Sequence, residues 1–450
     1  MNDVVSRKPG LTGQIKDRLI QQALERKLKQ VEGSTLPAAA HSPKPQSAIP
    51  EQHYRFSMHP GYQQLRIIND GAARLGVSSP FFKLHDGTAG AATKIAGKRY
   101  INYASYNYLD MSGDAEVAQA AKDAIDRYGT SVSASRLVSG ERPIHRELEQ
   151  ELAELYQVDD AITFVSGHAA NVSTIGHLFG PRDLVLHDEL IHNSVLQGIQ
   201  LSGARRLPFA HNDWEAVDVI LSQQRRNFER VLIVVEGIYS MDGDYPDLPQ
   251  FVDVKRRHHA FLMVDEAHSL GVMGKRGYGI REHFGLAGKD VDIWMGTLSK
   301  SLAGCGGYIA GETALVEHLK FLAPGFLYSV GMPPSVAASA LAALRKMKRE
   351  PERVGLLQAR GLYFLEQAKA AGIDTGTSKG LAVIPAIAGS SLKAAKASAE
   401  LFRHGINVQP ILYPAVPEKA ARLRFFVSCR HTESDISATL DVLSKVLHVQ

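Results

Sequence analysis

Between about residues 115 and 310 the chain repeats one pattern: a short apolar run, a turn of small or polar residues, then a stretch whose apolar positions recur three and four apart. The apolar runs fall at 161–165, 184–186, 231–235, 261–264 and 292–295. Continuous apolar runs this short predict strands buried on both faces, and the stretches between them predict helices. Such alternation implies an α/β fold with a mainly parallel sheet, whose site gathers at the carboxyl ends of the strands. Elsewhere, residues 94–103 alternate about Gly97 and predict a small hairpin. The run 335–347 has helical spacing, and the residues after it read as a smaller α/β domain.

Near the start, Ile15, Leu19, Ile20, Leu24, Leu28 and Val31 recur at helical spacing among basic and amide residues, predicting an amphipathic helix over about 12–31. Packing on its own domain or on a second subunit is the plainer use of such a face. Docking to an acidic carrier protein or to an anionic membrane surface is the sharper one. Residues 32–47, rich in Ala, Ser and Pro, predict a flexible linker. The plan is a helix and linker (1–50), a segment with the hairpin (51–110), a large domain (111–345) and a small C-terminal domain (346–450).

Composition narrows the classes. A chain of 450 residues exceeds one ordinary core, and 44% hydrophobic with 22% charged residues is the balance of a soluble globular protein. Cys305 and Cys429 are the two cysteines, and the start lacks a signal-peptide pattern, which predicts a reducing, cytoplasmic setting. No run approaches the roughly 20 apolar residues of a membrane-spanning helix, leaving at most peripheral membrane contact. Residues 1–30 hold seven Lys/Arg against three Asp/Glu, a surplus equal to the whole-chain net charge of +4. The rest of the chain balances, which argues against a nucleic-acid surface on the main body.

The candidate chemistry centres on Lys300, in the run Gly-Thr-Leu-Ser-Lys at 296–300. A lysine that must hold its amine against an aldehyde-bearing cofactor needs small neighbours, and Gly296, Thr297, Ser299 and Gly304 supply them. Asp265, at the end of a predicted buried strand, can pair with a pyridinium nitrogen and turn the ring into an electron sink. A lone loop lysine is ordinarily solvated, and a lone aspartate after a strand ordinarily caps a helix. The two in this order point to pyridoxal phosphate. Gly167 and His168 open a predicted helix after a strand, where backbone amides can cradle a phosphate. Ser240 follows another strand and can reach the cofactor or stand as a plain polar turn. His192 and His268, each at a strand end, suit a ring stacked on the pyridine and a donor to its oxygen. No Cys/His spacing suggests a metal.

Several stretches in order then resemble the α-oxoamine synthases, a branch of the fold-type I pyridoxal-phosphate enzymes. They are Ser-Tyr-Asn-Tyr-Leu at 105–109, Val-Ser-Gly-His-Ala-Ala-Asn at 165–171, the His192 segment, Glu-Gly-Ile-Tyr-Ser-Met-Asp-Gly at 236–243, Asp-Glu-Ala-His-Ser at 265–269 and the Lys300 run. The resemblance spans roughly 95–435. The first, fourth and fifth are most similar to the serine palmitoyltransferase members, whereas 129–141 resembles synthase domains fused to polyketide assembly lines.

The resemblance implies an aspartate-aminotransferase-like fold and a homodimer with a shared active site. It further implies that Lys300 tethers pyridoxal 5'-phosphate, Asp265 pairs its ring nitrogen, His192 stacks on the ring and His268 contacts its oxygen. Thr297 and the Gly167 and His168 amides would bind the phosphate, with Ser329, in a Tyr-Ser-Val-Gly segment, reaching across the dimer. Asn107 and Arg424 would contact the amino acid, with Arg422 as the alternative carboxylate ligand. The implied reaction is a decarboxylating condensation of L-serine with a long-chain acyl thioester, giving an amino ketone of the sphingoid kind. Glycine or alanine with a carrier-bound acyl group is the alternative, and a non-catalytic partner subunit is the alternative class. Asp110, Ala303 and His168 depart from the family pattern, at positions that bear on the acyl pocket.

Overall fold

The computed structural model describes residues 49–74 and 79–448. The predicted N-terminal helix and linker lie outside the described residues. The chain divides after Gly71 into two compact units. In the first, short turns at Glu51–His53 and Phe56–Met58 lead into the helix Pro60–Arg74, which runs past the divide.

The second unit begins with β1 (His85–Asp86), β2 (Ala92–Ile95) and β3 (Lys98–Asn102). β2 and β3 form the expected hairpin, turning at Ala96 and Gly97 with φ of 48° and 76°. Both values lie in the left-handed region that tight two-residue hairpins require.

The central sheet comprises β4 (Asp160–Phe164), β5 (Leu184–Asp188), β6 (Arg205–Phe209), β7 (Val231–Glu236), β8 (Phe261–Asp265), β9 (Ile293–Thr297) and β10 (Gly307–Gly311). Its order is β4-β10-β9-β8-β7-β5-β6, parallel except for β10, which runs antiparallel to both neighbours. Every residue of β7 is buried. Alternate residues feed opposite faces: Ile233 and Val235 join the core that holds Trp294, whereas Leu232 and Val234 join the core that holds Met263 and Met295. Two-sided burial is why this strand reads as a continuous apolar run.

Five of these strands match the predicted runs to within a few residues; β6 and β10 were not anticipated. β6 is a half-exposed edge strand, Arg-Arg-Leu-Pro-Phe, without an apolar run. β10 is Gly-Tyr-Ile-Ala-Gly, whose terminal glycines mask it, although all five residues are buried.

The C-terminal region supplies β11 (Val383–Ile387), β12 (Ile406–Asn407), β13 (Gln409–Ile411) and β14 (Arg422–Phe426). β11, β14 and β13 form an antiparallel sheet, and β12 pairs in parallel with β3, so the early hairpin and the C-terminal region share one sheet. The helices Pro334–Arg349 and Glu352–Ala370 precede it. Among the described residues no helix is long and apolar enough to cross a membrane.

Candidate active site

The carboxyl ends of β4, β5, β7, β8 and β9 face one region, and each delivers a residue to it. β8 ends on Asp265, buried, with Oδ1 accepting from the Ala267 amide at 2.9 Å and Oδ2 from Asn171 Nδ2 at 2.9 Å. Asn171 also donates to Ser194 Oγ at 2.8 Å, so the helices Gly167–Leu178 and Asn193–Ser202 jointly set the carboxylate's orientation. Next in the sheet, Glu236 closes β7 in register with Asp265. Burial, reinforced by Asp265, pushes the Glu236 carboxyl well above the carboxylate range. Its Oε1 accepts the His192 amide at 2.7 Å.

Lys300 stands in the turn between β9 and β10. Burial lowers its amine from 10.5 to about 8 against the opposing pull of Asp265 and Glu236. Its Nζ lies 5.7 Å from the centre of the Tyr106 ring. The lysine lines a cleft of about 450 Å³ with Ser105, Tyr106, Asn107, Ala303 and Gln409.

His268 is buried, stacked on Phe426, with Nδ1 2.7 Å from the Tyr108 hydroxyl. Burial, then Lys300 and Arg424, hold its pKa well below the usual histidine value, and burial holds the Tyr108 phenol well above its own. Both groups are neutral, and the Tyr108 hydroxyl fixes the plane of the His268 imidazole. His192 caps its helix, with Nδ1 2.7 Å from Ser194 Oγ. Burial lowers its pKa too, so its ring is an uncharged flat surface.

The sequence-predicted anion site also assembles. Gly167 begins its helix after Ser166, whose hydroxyl caps the Ala169 amide. The Gly167 and His168 amides have no hydrogen-bond partner among the described residues. A Cβ on Gly167 would lie 3.1 Å from Thr297 Oγ1, and one on Gly307 would lie 2.5 Å from the Gly167 Cα. Only glycines admit this approach of β9, β10 and the helix start. A helix N-terminus with free amides beside a threonine hydroxyl suits a phosphate.

Arg422 and Arg424 separate clearly. Arg422 is spent, donating to Asp242 Oδ1 at 2.5 Å, Met241 O at 3.0 Å and Ala420 O at 2.8 Å. Arg424 pairs with no carboxylate among the described residues, its Nη1 meeting Ser240 O at 3.1 Å and Met241 Sδ at 3.2 Å. Its charge acts on Lys300, His192 and His268.

Three expected residues have other surroundings. Asn107 lines the cleft, but its amide is engaged by Ala89 O at 2.7 Å and the Ser112 amide at 3.1 Å, so it shapes the wall. Ser240 meets Arg424 through its carbonyl; its hydroxyl makes no hydrogen bond among the described residues. Ser329 lies in a separate hollow with Arg136, Val165 and Gly331, its hydroxyl donating to Val330 O at 3.3 Å. Asn171, Tyr108, Glu236 and Gln409 were not singled out. Glu236 carries a readable signal, closing an apolar run; the others emerge only from contacts across the fold.

The profile of the family described as aminotransferase class I and II matches residues 98–443. The 8-amino-7-oxononanoate synthase of Fervidobacterium nodosum is 40% identical over 360 residues, covering 79% of this chain and 91% of that protein. The chain is a member of the α-oxoamine synthase family.

Its counterpart of the same name from Symbiobacterium thermophilum is 40% identical over 352 residues, covering 78% of this synthase and 89% of the relative. A solved serine palmitoyltransferase from S. paucimobilis, holding pyridoxal phosphate, superposes with a TM-score of 0.83 at 30% identity, covering 87% and 99% of the two chains. The synthase therefore has the fold-type I architecture and is a pyridoxal-phosphate-dependent acyltransferase. The residues present fit that cofactor: a glycine-lined anion cradle, a buried aspartate oriented by Asn171, and a lysine of lowered pKa.

Proposed function

We propose that this synthase condenses a small L-amino acid with an acyl thioester, releasing carbon dioxide and an α-amino ketone. The observation that carries the reading is the unpaired cation Arg424, set within electrostatic reach of Lys300 and the two neutral histidines. Arg424 grips the substrate carboxylate, because Arg422 is already neutralised by Asp242. Pyridoxal phosphate, when bound, supplies an electron sink for negative charge at the substrate α-carbon.

The chain's own groups do the rest. Thr297 and the Gly167 and His168 amides would anchor the phosphate, and Asp265 would hold the ring-nitrogen proton. His192 would cover one face of the ring and keep water from it, and His268 would contact the ring oxygen. Lys300, its amine lowered by burial, would take and later return the α-proton.

For the amino acid, two readings have support. The family forms at 105–109 and 265–269 and the structural neighbours favour serine with a long acyl chain. The 40% identical relatives favour alanine. The product they are named for ends in CH3–CH(NH2)–C(=O)–, alanine's skeleton less its carboxylate, and carries its one carboxylate at the far end. The higher identity puts alanine with a short acyl thioester first. We also infer a homodimer, supported by Tyr328, 87% exposed beside Ser329. Alanine, serine and glycine would each be supplied with acyl-coenzyme A and with acyl-carrier-protein donors, scoring carbon dioxide and product mass. A keto acid without carbon dioxide would mean transamination instead, and turnover surviving in Lys300→Ala would overturn the role of the lysine.

A further inference from the structure

Arg422 and Arg424 lie two apart on β14 and project from the same face, yet only one is neutralised. Arg422 faces a carboxylate, Asp242. Arg424 faces an amide: Gln409 of β13 is its partner across the antiparallel pair. Directly opposed residues of such a pair carry their side chains on the same side, with Cβ atoms about 5 Å apart. Gln409 also lines the cleft that contains Lys300.

Two atoms are left over at this pair. Gln409 Oε1 is sealed from solvent without a donor, and Arg424 Nε is sealed without an acceptor. One is an acceptor and the other a donor, the register places them on facing residues, and neither has another hydrogen-bond partner among the described residues. Buried polar atoms without partners are costly, so a complementary pair on opposed positions is a site waiting to close.

We propose that Gln409 is a positioning residue for Arg424: its amide oxygen takes the Nε–H and turns the two Nη groups toward the amino-acid carboxylate. This rests on the reading of Arg424 as the carboxylate ligand. A neutral amide suits the task better than a carboxylate would. It orients the guanidinium without cancelling the charge that the substrate must meet, whereas Asp242 does cancel that of Arg422. No carboxylate faces Arg424 among the described residues, so its charge stays available for an incoming anion.

The test compares the holoenzymes of wild type, Gln409→Leu, Gln409→Asn, Gln409→Glu and Arg424→Lys. Amino-acid affinity is read from the change in cofactor absorbance, beside the KM for the acyl thioester, kcat and the melting temperature. Gln409→Leu and Gln409→Asn, the second keeping an amide too short to reach, should each weaken amino-acid affinity roughly tenfold, as expected for one lost hydrogen bond to a charged group. Gln409→Glu should weaken it further by neutralising the guanidinium. The thioester KM and melting temperature should move little, and kcat at saturating amino acid less than affinity. Unchanged amino-acid affinity in the Leu and Asn variants, or an equal rise in thioester KM, would overturn the proposal. If Arg424→Lys itself left amino-acid affinity intact, the failure would lie in the carboxylate reading rather than in Gln409.

Discussion

Lys300 should destabilise the cofactor-free fold in a way that pH reveals. Burial lowers its amine from 10.5 to about 8. Each pH unit of that displacement is worth about 1.36 kcal/mol, giving an upper figure of roughly 3 kcal/mol. The sign follows from proton uptake. Below pH 8 the lysine is charged in both states and the full desolvation cost weighs on the fold. Between 8 and 10.5 the unfolded chain binds the proton and the folded one does not, so stability rises with pH. Above 10.5 both are neutral and the cost is gone. Lys300→Met keeps the length without the charge, and the Lys300 amine makes no hydrogen bond among the described residues. Cofactor-free Lys300→Met should therefore melt several degrees above cofactor-free wild type at pH 7, with the gap closing toward pH 10. Paired scanning calorimetry at equal protein concentration measures this. A variant no more stable than wild type at pH 7, or a gap independent of pH, would refute the desolvation account.

Asn171→Leu removes the donor to Asp265 Oδ2. Losing one hydrogen bond to a charged group costs about 1.5–3 kcal/mol, so cofactor retention on dialysis should fall tenfold or more; normal retention would show that Asp265 needs no such orientation. His211 bridges Asp188 and Asp244, at 3.0 Å to each. Burial opposes its charge, but the two carboxylates prevail and raise its pKa to about 10. The raised value means that the clasp's stabilisation is complete below about pH 6.5 and is lost as pH rises toward 10. The melting gap between wild type and His211→Gln should shrink across that window; a constant gap would mean that His211 acts by shape alone.

What could be read from the chain beforehand follows its local physics. Asp265, Glu236 and Thr297 end strands that are buried on both faces, so an apolar run followed by a polar residue marks each of them. Their neighbours were out of reach for a different reason. Asn171 and Asp265 lie 94 residues apart in sequence, and Gln409 gains meaning only once β13 pairs with β14. The choice between Arg422 and Arg424 rested on which one Asp242 neutralises, a contact spanning 180 residues. β10 was hidden because glycines at both ends read as loop, although they are the residues that allow the strand to press against Thr297 and the helix start.

The β9–β10 hairpin has a consequence for engineering. Most hairpin turns tolerate inserted residues because one flank is open to solvent. Here both strands lie inside the sheet, β9 against β8 and β10 against β4, and Leu298 donates across the base of the turn to Gly306 O at 2.9 Å. Lengthening residues 298–306 would leave two interior strands with no room to slip. Grafts or reporter loops that most surface turns of this enzyme would accept should be rejected here, and the lysine can travel only as far as its own four methylenes allow.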